Sequence, residues 1–357
     1  MTDKRTRMLG DIVLADSTGL EIGALHAPLV RREEGRIRYV DYTDTETLRR
    51  GFRHPDDAAD ILEVDIVWGQ RRLRDALDAP VDYILASHVI EHVPDLIGWL
   101  LELREALKPG KILGLAIPDR RYTFDVRRAV STPGEMIEAW LGQYKRPSPR
   151  QVFDACALSK NSGTVEQWRM GEPSTGLPEE VMDRMAPALD IVRSMVAGER
   201  YVDVHCWVFT PASFLDTAEA LTGIGCFPYT IDAFHPTEPG SIEFQVRLRA
   251  ADQADPAIAA SIAAARTTLP VGPLPVTMAS EAASPETKPS LAAERAALPD
   301  VSHAVEGAAI AAARREIALL ERKSAMLWQE IAILRASTSW RVTAPLRAAR
   351  IWLRPRQ

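Results

Sequence analysis

Residues 18 to 120 alternate short β-like runs with helix-like stretches, and no other feature of the chain constrains its fold as strongly. A helix between two strands returns the chain so that the strands lie parallel, building βαβ units and an open sheet covered on both faces. The predicted strands are 18–22, 36–41, 60–64, 81–86 and 111–117. The helix predicted over 96–107 stops at Pro109-Gly110, as a proline and glycine beyond a helix end require.

Helix-like patches over 133–144 and 179–197, with a polar Gly/Ser-rich stretch between them, make residues 121–200 an insertion expected to cover a site. Thr210-Pro211 then opens a helix as N-cap and first helical residue. Two last strands, 229–234 and 242–248, flank the turn-rich segment His235-Pro236-Thr237-Glu238-Pro239-Gly240 and form an antiparallel hairpin. The expectation is an α/β domain over residues 1–250: a doubly wound, mostly parallel, seven-stranded sheet ending in that hairpin.

Beyond the domain the composition changes. Residues 251–303 are dominated by Ala, Pro, Ser and Thr without aromatics, which describes a linker too poor in apolar surface to offset chain entropy. Over 304–335 a heptad is set by Ile310, Ile317, Ser324 and Ile331, with Ala313, Leu320, Leu327 and Leu334 three residues later, predicting a coiled-coil helix and a homo-oligomer. Residues 336–357 carry Arg341, Arg347, Arg350, Arg354 and Arg356 without an acidic residue, a basic tail suited to peripheral contact with an anionic membrane.

The net charge of -6 argues against nucleic acid as a partner, which needs a concentrated positive field. Cys156, Cys206 and Cys226 are too scattered for a disulfide framework or paired zinc spacing. The polar N-terminus and the lack of a long apolar run predict a cytoplasmic protein, peripheral at most to the inner membrane.

At the ends of the predicted strands lie the residues that carry chemistry. Leu20-Glu21-Ile22-Gly23 closes strand one in a turn where glycine lets a backbone approach a ligand. Asp41 ends strand two, Val64-Asp65-Ile66 follows strand three, and Asp82-Tyr83-Ile84-Leu85-Ala86-Ser87-His88 forms strand four. With Leu107-Lys108-Pro109-Gly110 before strand five and the His205 to Pro211 entry to the last helix, this order resembles the class I S-adenosylmethionine-dependent methyltransferases over residues 18–249.

The resemblance implies S-adenosylmethionine as cofactor. It assigns the ribose hydroxyls to Asp41, the adenine amino group to Asp65 with Ile66 among the apolar neighbours of the ring, the turn to Glu21 and Gly23, and the border of the crevice to Ser87 and His88. The family turn has three alternate glycines, whereas here Gly23 is followed by Leu25 and Ala27.

His88-Val89-Ile90-Glu91-His92 also spells the His-x-x-Glu-His pattern of a zinc peptidase family, but Pro94 interrupts the long helix such a site needs, and no metal is expected. Methyl transfer to a hydroxyl calls for a base, and His92, Asp119 and His205 are the candidates. The tail from Ser337 to Arg347 resembles the C-terminal segment of bacterial surface-glycan glycosyltransferases and associated enzymes. That implies a carbohydrate or small-molecule acceptor, O-methylation in glycan biosynthesis, and a glycosyltransferase partner. The alternative, favoured by the altered glycine turn, is a non-catalytic scaffold or regulatory protein of glycan assembly.

Overall fold

The computed structural model describes residues 3–51, 58–69, 71–160, 178–198 and 201–270. Its strands are β1 (Thr18–Ile22), β2 (Arg36–Asp41), β3 (Ile66–Val67), β4 (Val81–Ser87), β5 (Leu107–Pro118), β6 (Tyr229–His235) and β7 (Glu243–Ala250). They form one sheet in the order β3-β2-β1-β4-β5-β7-β6, with β1 to β5 parallel and β7 antiparallel to both β5 and β6. This is the doubly wound arrangement with a terminal hairpin, and its strand order reverses between β1 and β4, where open α/β sheets form their ligand crevice.

The described helices are α1 (Lys4–Leu9), α2 (Thr45–Gly51), α3 (Leu96–Ala106), α4 (Pro133–Leu141), α5 (Pro149–Leu158), α6 (Glu179–Gly198), α7 (Pro211–Gly223) and α8 (Ala257–Arg266). Side chains of β4 alternate between two cores. Ile84 and Ala86 pack with apolar residues of α3, α7 and α8, while Tyr83 and Leu85 pack with Met8 and Leu9 of α1. A strand buried on both faces reads as a continuous apolar run, and that is why the sequence of β4 shows no polar alternation. Gly19 of β1 lies under the Tyr83 ring, and a Cβ there would sit 2.0 Å from the ring.

Capping explains how the insertion starts its helices. Thr132 and Glu135 form a reciprocal capping box at α4, and Ser148 and Gln151 do the same at α5. The expected Thr210-Pro211 start of α7 is present, with Thr210 Oγ1 accepting from the Ser213 amide at 3.1 Å.

Three expectations change. Strand three is two residues, Ile66–Val67, rather than 60–64, because Asp65 is fixed before it by hydrogen bonds to Tyr39. Helix α3 ends at Ala106, and Pro109-Gly110 sit in an irregularity inside β5, between the Val81–Leu107 and Tyr83–Ile112 pairs. Most consequentially, the predicted linker begins with an ordered element. In α8, Ile258, Ile262 and Ala265 recur at helical spacing and are buried in the core, and Ser261 Oγ accepts from the Ile231 amide of β6 at 2.9 Å. Its Ala-rich composition hides a narrow apolar stripe that only the sheet completes. The coiled-coil and basic-tail expectations lie outside the described residues. Among the described residues, no helix is long and apolar enough to cross a membrane.

If α8 belongs to the domain, Ile262→Ala should lower unfolding stability by about 2–4 kcal/mol, the usual cost of emptying a buried isoleucine site. Urea denaturation measures this, and an unchanged midpoint would return the segment to the linker.

Candidate active site

The turn after β1 is held from below. Glu21 is buried, and its two carboxylate oxygens accept from the Leu29 amide at 2.7 Å and the Val30 amide at 3.1 Å, so a single side chain folds the 23–30 loop back over the strand end. Burial raises its pKa and the two amides act against that rise. Gly23 has φ +67°, and a Cβ there would lie 2.9 Å from Val89 Cγ2 on the segment leaving β4. Two residues on, where the family pattern has another glycine, Leu25 itself adopts φ +48°. The left-handed conformation that a glycine supplies freely is thus kept by a residue that adopts it at a steric cost.

Asp41 ends β2 at the same edge. It is 8% exposed, and its side chain accepts a hydrogen bond from the Tyr42 amide at 2.7 Å. Burial pushes its pKa up to about 6, and the Tyr42 amide opposes that only in part. A buried carboxylate with lone pairs to spare, at the carboxyl edge beside the switch point, is suited to accept the two hydroxyls of a ribose.

Asp65 stands elsewhere. Parallel pairing sets Asp41 beside Val67 and Val40 beside Ile66, so Asp65 falls back from the edge toward Tyr39. Its carboxylate accepts from Arg32 Nη1 at 3.0 Å, Arg32 Nη2 at 2.9 Å and the Tyr39 amide at 2.7 Å, while the Arg32 guanidinium lies over the Tyr39 ring. Asp65 therefore ties the loop after Gly23 to the sheet rather than facing an adenine, and Ile66 is a core residue. At the carboxyl edge of β3 the neighbours of Asp41 are Val67 and Trp68, whose amide donates to the Asp41 carbonyl at 2.8 Å.

Ser87 ends β4, and His88 follows it in the left-handed region with φ +56°, its amide bonded to the Ala116 carbonyl of β5. His88 Nε2 lies 2.6 Å from Glu243 Oε2 of β7. Burial alone would raise the Glu243 pKa, but His88 and Lys4 hold it down at about 2. The segment 90–92 is a single 3-10 turn, so the long helix of a zinc peptidase is absent here.

The three candidate bases separate. Asp119 is fully buried and engaged by Arg121, by the Arg121 amide and by the Thr237 hydroxyl at 2.7 Å, which makes it a joint between β5 and the 235–242 turn. His92 and His205 come together instead, with ring centroids 4.8 Å apart edge to face. His92 Nδ1 lies 3.0 Å from Asp203 Oδ1, and His205 Nδ1 lies 2.5 Å from Asp125 Oδ2. For His92, burial acts to lower the pKa, but the Asp203 hydrogen bond and the nearby carboxylates outweigh it and leave the pKa raised. Burial likewise opposes the lowered pKa of Asp125, which His205 and Arg128 secure.

Glu91 lies between them, 1% exposed. Its backbone carbonyl accepts from the amides of Cys206 and Trp207, which seats the 203–209 segment against the turn after β4. The sequence marks Glu91 through the peptidase-like pattern and as part of the strand-four ending that the resemblance implies, and it does not mark Asp125. Spacing gives no signal for Asp125, which lies 80 positions from His205.

The residues present fit the group that the fold implies. Gly23 leaves room where a Cβ would meet Val89, and Asp41 is a buried acceptor beside it. The family model described as a methyltransferase domain matches residues 6–177. Residues 6–177 are thus similar to a methyltransferase domain, and the cofactor that this similarity implies is S-adenosylmethionine.

Several solved structures are similar to the chain. An S-adenosylmethionine-dependent methyltransferase from Aquifex aeolicus is 11% identical, with 70% of this chain and 94% of that one covered and a TM-score of 0.32. One from Mesorhizobium loti is 14% identical, with 67% and 93% covered and a TM-score of 0.27. The CcbJ methyltransferase from Streptomyces caelestis is 15% identical, with 36% of this chain and 56% of that one covered and a TM-score of 0.25. No curated protein matches the chain.

The raised pKa of Asp41 means that the folded state holds its proton more tightly than the unfolded chain does. The resulting cost to stability is absent below pH 3.8, grows as pH rises to about 6 and is complete above that. Asp41→Asn should therefore be more stable than the wild type by up to about 3 kcal/mol at pH 8 and equal to it near pH 3.5, at about 1.36 kcal/mol per pKa unit. Chemical denaturation at the two pH values tests this, and a pH-independent difference would contradict it.

Proposed function

We propose that the chain is an S-adenosylmethionine-dependent O-methyltransferase whose acceptor is a small molecule or carbohydrate carrying a hydroxyl, acting in glycan biosynthesis. The observation that carries the hydroxyl acceptor is the pairing of His92 with Asp203 and of His205 with Asp125, side by side where the 203–209 segment meets the segments that follow β4 and β5. A carboxylate on Nδ1 fixes an imidazole's tautomer and supports positive charge on it, so its other nitrogen can draw a proton from an alcohol.

When bound, S-adenosylmethionine supplies an electrophilic methyl group. Asp41 accepts the ribose hydroxyls, and the loop held by Glu21 gives backbone groups at Gly23 for the amino-acid end. His92 and His205 orient the acceptor hydroxyl and draw off its proton. The glycan setting rests on the tail 337–347, and the same reading assigns self-association to residues 304–335. It also assigns contact with an anionic membrane or a glycosyltransferase to residues 336–357.

Calorimetry should show micromolar binding of S-adenosylhomocysteine, about -8 kcal/mol, that Asp41→Ala weakens severely. His205→Gln should leave that binding intact and slow transfer of a labelled methyl group to hydroxylated sugars by about 10²–10⁴-fold. A folded wild type that takes up no cofactor would favour the scaffold. Deleting residues 304–357 should convert an oligomer to a monomer in light scattering, and a full-length chain that is already monomeric would end the coiled-coil reading.

A further inference from the structure

Glu91 poses a problem that protein atoms alone leave open. It is 1% exposed, and neither carboxylate oxygen accepts a hydrogen bond. Burying a carboxylate without compensation is costly, so a native chain pairs it, protonates it or places it on a metal. Among the described residues the nearest basic atoms are His88 Nδ1 at 3.5 Å and His205 Nε2 at 3.9 Å, both from Oε1 and both beyond hydrogen-bond reach.

His205 sharpens the problem. Its Nδ1 lies 2.5 Å from Asp125, which places the proton there and turns the Nε2 lone pair toward Glu91. Arg128 is bonded to the other Asp125 oxygen at 2.8 Å and holds that carboxylate in place against His205. Two acceptors thus face each other across a gap too wide for a shared proton and suited to a cation. His92 completes the group. Its Nδ1 is engaged by Asp203, which leaves Nε2 for ligation, and one ligand atom from each of Glu91, His92 and His205 lies within 4.8 Å of the other two.

We propose that Glu91, His92 and His205 form a divalent-metal site, with zinc the ion that fits it best. Two imidazoles and one carboxylate are the three-ligand set of catalytic zinc centres, which keep a fourth position for water or substrate. Asp125 and Asp203 serve as the outer carboxylates that orient ligating histidines. Ligand separations of up to 4.8 Å close to tetrahedral spacing with small side-chain movements, given metal–ligand distances of about 2.0–2.2 Å. Burial is uneven: the side chains of Glu91 and His205 are enclosed, whereas that of His92 is 34% exposed and gives the ion an open edge.

This is a different set from the His88 and His92 pair that the His-x-x-Glu-His pattern suggests, because His88 Nε2 is committed to Glu243. The ion's use, though not its binding, rests on the methyltransferase reading. An acceptor hydroxyl in the open position would ionise more readily, and the two imidazoles would then act on it through the metal rather than take its proton directly.

The test is titration of Zn²⁺ into the full chain stripped with chelator, with Co²⁺ substitution read by its visible absorption. The wild type should take up one ion per chain and give the intense visible bands of a tetrahedral Co²⁺ site. Glu91→Gln and His205→Gln, confirmed folded by circular dichroism, should lose saturable binding. Asp125→Asn should bind about 10- to 100-fold more weakly, and His88→Gln should still bind. A folded wild type without saturable Zn²⁺ uptake overturns the site, as does loss of binding in His88→Gln with retention in His205→Gln. Binding of S-adenosylhomocysteine, measured on the same preparation, separates failure of the metal site from failure of the methyltransferase reading.

Discussion

The parallel pairing of β1 with β4, Leu20 beside Ile84 and Ile22 beside Ala86, is the constraint from which the rest of the molecule follows. β2 and β3 leave β1 on one side, and β5, β7 and β6 leave β4 on the other, so the connections diverge where these two strands meet. Divergence opens a crevice at their carboxyl ends without any residue having to line it by design. The close fit of Gly19 under Tyr83 fixes how the two strands lie, and the near contact of Gly23 with Val89 fixes how their exits do.

The chemistry of the crevice stands out when the buried carboxylates of the described residues are compared. Glu21 is answered by two amides, Asp82 by Lys108 and Lys111, Asp119 by Arg121 and Thr237, and Asp125 by Arg128 and His205. Each of these is structural, or supports another side chain, because both of its carboxylate oxygens are engaged. Two are different. Asp41 accepts one amide hydrogen and keeps a raised pKa, and Glu91 accepts no hydrogen bond at all. A fold that, among the described residues, satisfies the other buried carboxylates and leaves these two short gives up stability at the two points where a ribose and a cation would restore it.

The departure from the family's glycine turn has a related resolution. Leu25 occupies the left-handed region at which the missing glycine would have been free, and Glu21 clamps the far end of the same loop. The loop keeps its path because the clamp opposes the strain of one residue. The lost glycine therefore argues less against a ligand at Gly23 than its absence from the sequence suggests.

The sequence by itself determined the alternation of strands and helices over the first part of the chain, the doubly wound class, the terminal hairpin and the positions of Glu21, Gly23 and Asp41. Those features depend on local periodicity and on residues that end strands, and both are written within a few positions of one another. Only the tertiary structure decided that Asp65 falls back toward Tyr39 and pairs with Arg32, since a two-residue β3 takes its register from β2 rather than from its own pattern. It also decided that α8 joins the core, because the stripe of Ile258, Ile262 and Ala265 has no partner until β6 and α7 are in place. The union of Glu91 and His92 with His205, and of His205 with Asp125 80 positions away, was beyond the reach of spacing for the same reason. Such groups are neighbours only because the turn after β4 and the 203–209 segment are hydrogen-bonded to each other, and contacts across that much chain are set by packing rather than by period.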